Sequence, residues 1–217
     1  MTTWSAEDMK FYLSSFKIGN EVHKLKKITQ NGNKRVAYIS NALDDFSIDL
    51  ERRKRIEVND ISDLEQIGFQ VDLLDLRHYF NKQIELEERI KKYDVIWVSG
   101  GNSFVLLQAM NLSGFDVIIK KFYEDNVDIV YGGYSAGVCV LGPTLKGIHL
   151  ADDQNQKPYG DQYDAIWDGL GILDYVIVPH YQSDHFEFEA MEKSVQYLIE
   201  NKLLFIPLKD GEVIVIE

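Results

Sequence analysis

The 217-residue chain has one cysteine, Cys139, four prolines and an acidic excess that gives a formal net charge of −12. A single cysteine excludes an internal disulfide framework and a cysteine-rich zinc site, and it favours a reducing, cytoplasmic compartment. The acidic balance argues against nucleic-acid binding, because phosphate recognition needs a concentrated basic face. The one tight basic run, residues 52–55, is interpreted as the solvated face of a helix.

Long hydrophobic runs are also missing. No apolar stretch approaches the ~20 residues that a membrane span needs, so no membrane association is predicted. Residues 1–8 are interpreted as a short leader with little role in the fold. Since low-complexity tracts and internal repeats are absent as well, the pattern predicts a single domain over residues 1–217.

Short apolar runs alternate with longer amphipathic stretches, which predicts a three-layer α/β sandwich with a mainly parallel sheet. The last residues, 203–217, contain two apolar runs around Asp210-Gly211 and predict a C-terminal antiparallel β-hairpin, whose edge could pair in a homodimer. The predicted strands are 11–13, 36–39, 71–76, 95–98, 128–131 and 175–178, and the predicted helices are 47–67, 82–92, 102–125 and 184–200.

The stretch from Gly142 to Gly171 is polar, rich in glycine and without clear periodicity. Loops of this length in a compact domain are usually functional or mobile. It connects the segment after Ser135 to the strand before His180, so we expect it to lie over the active site.

Three strand ends carry chemically useful residues, and ligands of open α/β sheets bind beyond the carboxyl ends of the strands. The three segments are "SGGNS" at 99–103, "GGYSAG" at 132–137 and "PHY" at 179–181. The second fits the Gly-x-Ser-x-Gly nucleophile elbow, with Ser135 as nucleophile. His180 is the candidate base, and the backbone N–H groups of Gly101 and Ala136 are the candidate oxyanion donors.

The motifs "VSGGNSFVLLQAM", "YGGYSAGVCVLGPT" and "VPHYQSD" resemble the serine peptidase family of dipeptidase E (aspartyl dipeptidase) and cyanophycinase. The resemblance covers nearly the whole chain. It implies a flavodoxin-like fold related to the class I glutamine amidotransferases, with serine replacing their elbow cysteine. It also implies a Ser-His-acid mechanism on short peptides, which requires no metal or organic cofactor.

The resemblance places the acid in the loop after the serine-bearing helix, where either Asp152 or Asp153 is the candidate. The segment after His180, residues 181–200, is acidic and has no arginine. Because unpaired carboxylates disfavour a substrate carboxylate, this segment argues against an N-terminal aspartate substrate. A small neutral or basic N-terminal residue, or the free α-amino group, fits it better.

Three alternatives stay open at this stage. An α/β-hydrolase esterase shares the Gly-x-Ser-x-Gly motif, although only 45 positions separate Ser135 from His180. A metal hydrolase could use His180, Asp184, His185 and Glu187, but two histidines five apart across a strand end and a helix start do not share a face by periodicity. The third alternative is a binding module of the same fold without turnover.

Overall fold

The structure is a computed structural model that describes residues 9–30, 32–45 and 49–217. The predicted leader, 1–8, lies outside these ranges. The described residues contain eight strands. Six form the main sheet in the order β3-β2-β4-β5-β1-β8, with β8 the antiparallel one. The predicted mainly parallel sheet is confirmed. The strands are β1 Lys10–Ser14, β2 Arg35–Ile39, β3 Gln70–Leu73, β4 Val95–Val98, β5 Val130–Tyr134, β6 Val176–Val178, β7 Phe205–Pro207 and β8 Val213–Ile216.

Helices cover both faces of the main sheet, which makes the three predicted layers. Side chains alternate along the strands: Tyr38 and Trp97 pack with α1 and α2, whereas Ile39 and Val98 face the larger core beneath the other helices. The helices are α1 Val22–Ile28, α2 Leu50–Gln66, α3 Gln83–Ile90, α4 Ser103–Ser113, α5 Phe115–Glu124, α6 Ala136–Cys139 and α7 Phe188–Glu200.

The predicted C-terminal hairpin is wrong, because its two strands join different sheets. β7 pairs in parallel with β6 in a separate two-stranded sheet, whereas β8 pairs antiparallel with β1. The turn between them is present, since the Glu212 N–H donates to the Lys209 carbonyl at 2.9 Å. The chain therefore passes from the small sheet to the main sheet at Asp210, instead of folding back on itself.

The helix predicted over 102–125 is two helices. Gly114 has φ 76°, in the left-handed region, and there α4 ends and α5 begins at an angle of 82°. Within the described residues, no single helix is long and apolar enough to cross a membrane. The bent pair of α4 and α5 meets the length and composition criteria only together, and most of the α4 side chains are buried in the core.

Close packing of α6 against β4 sets the position of the strand end that carries Ser135. A Cβ atom on Gly137 would lie 2.3 Å from the Val98 carbonyl oxygen, and one on Gly133 would lie 2.5 Å from the same atom. No side chain fits in these gaps, so glycine is required on both sides of the serine. The helix can therefore begin immediately after β5.

We expect Gly137→Ala to lower the free energy of unfolding by about 1–3 kcal/mol, because the added methyl group overpacks α6 against the backbone of β4. The measurement is urea denaturation followed by circular dichroism. Gly68→Ala is the control: its φ of 104° is unfavourable for alanine, but no atom lies within 4 Å of the new Cβ. Its loss should be the smaller one, and equal losses would contradict a steric cause.

Candidate active site

A cavity of about 840 Å³ opens beyond the carboxyl ends of β4, β5 and β6. Ser135, His180 and Gly101, which the sequence predicts from three separate strand ends, all line it. The loop from Gly142 to Gly171 contributes Asp152 and its neighbours to the wall, which confirms that this loop lies over the cavity.

Ser135 occupies the sharp turn between β5 and α6. Its φ of 51° and ψ of −118° place it in a backbone region that costs a non-glycine residue about 1–3 kcal/mol. Its carbonyl accepts hydrogen bonds from the N–H groups of Val138 and Cys139 at 2.9 and 3.0 Å, so the helix starts directly after it. Ala136, the candidate oxyanion donor, is consequently the first residue of α6.

Gly101 lies in the turn between β4 and α4. Its φ is 138°, and a Cβ atom there would meet the Ala42 carbonyl oxygen at 2.4 Å, so this position requires glycine. Asn102 caps α4, because its Oδ1 accepts hydrogen bonds from the N–H groups of Phe104 and Val105 at 2.9 and 3.1 Å. The turn therefore holds the Gly101 backbone at a helix N-terminus beside the cavity.

His180 is almost fully buried, and its Nδ1 lies 2.7 Å from Oδ1 of Asp210. In the neutral ring, Nδ1–H donates to the carboxylate and Nε2 keeps its lone pair. Burial lowers the pKa of His180 below its ordinary value, although Asp210 acts in the opposite direction. The lowered pKa favours the neutral ring, in which Nε2 is unprotonated.

The His180–Asp210 pair is held at the junction of the two sheets. His180 follows β6 and Asp210 follows β7, the two strands of the small sheet. The Ser15 hydroxyl, just beyond β1 of the main sheet, accepts from the His180 N–H and donates to Asp210 Oδ1, both at 2.9 Å. Ser183 Oγ accepts from the Asp210 N–H at 2.8 Å. These contacts fix the carboxylate behind the imidazole.

Asp152 and Asp153, the acids predicted behind His180, have other contacts. Asp152 is buried, and Oδ2 accepts from the Ser103 N–H at 2.8 Å at the start of α4. Burial raises its pKa to about 6, partly offset by hydrogen bonds from Ser103. Asp153 is exposed and accepts hydrogen bonds within its own loop. The prediction is therefore corrected: the carboxylate at Nδ1 of His180 is Asp210.

A buried carboxylate on α2 fixes the strand end before the serine. Asp60 Oδ2 accepts hydrogen bonds from the hydroxyl groups of Tyr38 at 2.8 Å and Tyr134 at 2.6 Å. Burial raises the pKa of Asp60, while both phenol hydrogen bonds lower it. Tyr134 immediately precedes Ser135, so this network ties the strained turn to the opposite layer. The sequence contains no local signal for it.

His185 and Glu187 lie beside His180. The two imidazole rings are stacked, with centroids 3.7 Å apart and planes at 5°. Burial and the charge of His180 lower the pKa of His185 to about 4. Burial, followed by the charge of Asp152, raises the pKa of Glu187 to about 7, whereas Arg52 lowers it.

The sequence argument that separates the two histidines is wrong. It assumes regular periodicity, but the chain forms a tight turn between β6 and α7 that stacks His185 on His180. Potential ligand atoms of His180, His185 and Glu187 lie within 4.8 Å of one another. Among the described residues, this is a group that could hold a metal ion.

The basic run at the start of α2 is only partly a solvated helix face. Arg52, Lys54 and Arg55 are exposed as predicted, whereas Arg53 pairs with Asp44 and Glu57. Arg52 and Arg55 also line the cavity that Ser135 and His180 line. The cavity wall therefore combines arginines from α2 with carboxylates from the later loops.

The model of peptidase family S51 matches residues 14–217, nearly the whole length of the chain. The chain belongs to peptidase family S51. The family match confirms the resemblance that the three motifs indicate, and the protein is a hydrolase of peptide bonds. It favours the peptidase over the esterase and over a binding module without turnover.

Relatives of this S51 peptidase carry peptidase names. An uncharacterized peptidase of Pasteurella multocida is 27% identical over 165 residues, covering 70% of this chain and 75% of its own. An uncharacterized peptidase of Listeria monocytogenes is 29% identical over 153 residues, with 70% of each chain covered. Peptidase E of Streptomyces coelicolor is 28% identical over 128 residues, covering 57% of this chain and 49% of its own.

Two crystal structures share the fold. A Peptidase E-like protein of Listeria monocytogenes EGD-e superposes with a TM-score of 0.72 at 22% identity, covering 97% of this chain and 98% of its own. A peptidase from an acI-B1 Actinobacterium superposes with a TM-score of 0.70 at 16% identity, covering 97% and 84%. The arrangement of sheet and helices is therefore shared over nearly the whole chain.

Proposed function

We propose that this S51 peptidase is a serine dipeptidase with Ser135, His180 and Asp210 as its catalytic triad. The observation that carries the proposal is the 2.7 Å contact between His180 Nδ1 and Asp210 Oδ1, at a cavity that Ser135 also lines. The strained serine turn at the end of β5 supports its assignment as a nucleophile elbow.

In this mechanism, Asp210 fixes the imidazole tautomer and stabilises the imidazolium that forms during the reaction. Nε2 of His180 takes the proton of Ser135 while Oγ bonds to the scissile carbonyl carbon. The carbonyl π electrons move to oxygen, where the N–H groups of Gly101 and Ala136 hold the oxyanion.

The tetrahedral intermediate then collapses. The C–N bond breaks, and His180 gives its proton to the leaving amine. A water molecule, deprotonated by the same Nε2, attacks the acyl-enzyme, releases the acid product and regenerates the Ser135 hydroxyl. All proton transfers therefore pass through one nitrogen.

The charges of the cavity support a short substrate with both termini free. Glu187 and Asp152 provide carboxylates for the α-ammonium group, whereas Arg52 and Arg55 provide guanidinium groups for a carboxylate. The acidic segment 181–200 alone disfavours a substrate carboxylate. The two arginines come from α2, outside that segment, and they can pair with a substrate carboxylate in the cavity.

The proposed triad predicts that substitution of each of its three residues lowers kcat. Ser135→Ala and His180→Ala should each lower kcat by at least about 10³-fold, and Asp210→Asn by about 10²–10⁴-fold because it removes the acceptor that fixes the tautomer. Dipeptide hydrolysis and labelling of Ser135 with a fluorophosphonate are the two measurements. Unaltered turnover in the Asp210→Asn variant would refute the triad.

Two variants serve as controls for these losses. Asp174→Asn changes an exposed carboxylate before β6, at the end of the strand opposite His180. Ser62→Ala changes a serine on α2 that accepts a hydrogen bond from Gln66. Both should keep wild-type turnover and labelling, which would show that the losses belong to the triad positions.

The arginines should act on substrate binding. We expect Arg52→Ala with Arg55→Ala to raise KM for a dipeptide by about 10- to 100-fold, because a charge-assisted hydrogen bond to the substrate carboxylate is lost. KM for the same dipeptide amide should change little. Lys54→Ala is the matched control, because Lys54 is exposed on the same helix but is not among the residues that line the cavity. An equal rise for acid and amide would rule out carboxylate recognition.

The pH profile should depend on Glu187. Its ionised form, present above a pKa of about 7, binds the substrate ammonium, and neutral His180 is present above its own lowered pKa. Wild-type kcat/KM should therefore fall as the pH drops through about 7. In Glu187→Gln, the fall should move to lower pH, where His180 is protonated, and the plateau should be lower. Glu189→Gln, an exposed control, should keep the wild-type pH profile. If Glu187→Gln also kept the wild-type pH profile, the proposed role of Glu187 would be contradicted.

A further inference from the structure

Three side chains that line the same cavity as Ser135 form a compact ligand set. Oε2 of Glu187 lies 3.8 Å from Nε2 of His180 and 3.6 Å from Nδ1 of His185. Two imidazoles and one carboxylate form a donor set that binds Zn²⁺ and leaves a fourth position open. We propose that His180, His185 and Glu187 bind a Zn²⁺ ion that blocks the peptidase.

The hydrogen bond at the other ring nitrogen of His180 fits this role. A metal-bound histidine nearly always donates its other ring N–H to a carboxylate, which fixes the ring and raises the basicity of the ligating nitrogen. Nδ1 of His180 has this partner in Asp210 at 2.7 Å, and Ser15 in turn donates to Asp210. Nε2, the nitrogen on the Glu187 side, therefore keeps the lone pair that a metal requires.

The surrounding charges also favour a cation. Asp152 and Asp184 line the same cavity as the three ligands, and Asp210 stands directly behind His180. Lys17, Arg52 and Arg55 also line the cavity, and Arg52 lowers the pKa of Glu187. Carboxylates outnumber these cations among the lining residues, so a divalent ion would neutralise part of their negative charge.

Zinc binding requires the ligand atoms to move closer together and the two stacked rings to reorient. Ligand atoms of a tetrahedral zinc site with bonds of about 2.0–2.1 Å are about 3.3 Å apart, so the two measured separations must contract by about 0.3–0.5 Å. The parallel rings must also tilt toward the ion. Nδ1 of His185 gives up a long hydrogen bond from the Glu187 N–H, at 3.3 Å, when it ligates.

Zinc would inhibit the peptidase because it binds the same atom, Nε2 of His180, that the proposed mechanism uses. A zinc ion on Nε2 of His180 occupies the lone pair that accepts the Ser135 proton, so the serine stays protonated and the acylation step stops. This part rests on the proposed function, whereas zinc binding itself does not depend on turnover.

The test begins with zinc binding to the full-length Ser135→Ala protein, which keeps all three ligands but cannot turn over. Isothermal titration with ZnCl₂ at pH 7.5 should give one site per chain. His185→Ala and Glu187→Gln, each in the Ser135→Ala background, should weaken binding by about 10- to 100-fold. His23→Ala is the control, because His23 is an exposed histidine remote in sequence from the site. Equal affinity in all variants, or no bound zinc, would overturn the site.

The second measurement is zinc inhibition of the wild-type enzyme. Dipeptide hydrolysis should fall with the same zinc dependence as the binding curve and recover when EDTA is added. In His185→Ala, the zinc concentration for half inhibition, measured against that variant's own rate, should rise by about 10- to 100-fold. Full activity at a zinc concentration that saturates the site would overturn the inhibitory role. If the proposed catalytic triad were wrong, dipeptide hydrolysis would instead survive the Ser135→Ala substitution.

Discussion

The hydrogen bond between His180 Nδ1 and Asp210 Oδ1 determines what this cavity can do chemically. It sets which imidazole nitrogen keeps its lone pair, and that nitrogen can then take a proton or bind a metal ion. The bond exists because β6 and β7 pair in parallel and end beside each other. Ser15, just beyond β1, bonds to both residues and couples the small sheet to the main sheet. The position of the base relative to Ser135 thus depends on contacts between two sheets.

Desolvation is the main influence on the titratable groups around that bond. It lowers the pKa values of His180 and His185, and it raises those of Glu187 to about 7 and Asp152 to about 6. All four shifts favour the neutral form, as expected where charge is costly. A charged substrate entering such a cavity at neutral pH meets Glu187 near its midpoint. The ligand therefore contributes to setting the protonation state of its own site.

Much of this site follows from the sequence, because its main features are local. The Gly-x-Ser-x-Gly turn and the histidine after a strand are short patterns, and the parallel-sheet rule brings their strand ends together. Asp210 does not follow, since "LLFIPL", "KDG" and "EVIVIE" fit a hairpin equally well and only long-range pairing sends β7 to β6. The same limit applies to Arg52 and Arg55, because the orientation of α2 is decided by packing. His185 reaches His180 through an irregular turn, which periodicity does not describe.

The close spacing of Glu187, His180 and His185 makes different cations compete for the same atoms. Glu187 lies within 4 Å of ring nitrogens of both His180 and His185, so a proton, the proposed substrate ammonium and the proposed zinc ion would all bind at one cluster of atoms. Only one of them can occupy it at a time, since each neutralises the same carboxylate. A carboxylate placed farther from His180 would avoid this competition, but it would hold the α-amino group away from Ser135. In the proposed dipeptidase mechanism, the substrate ammonium lies one residue from the scissile bond, so its anchor must lie near His180.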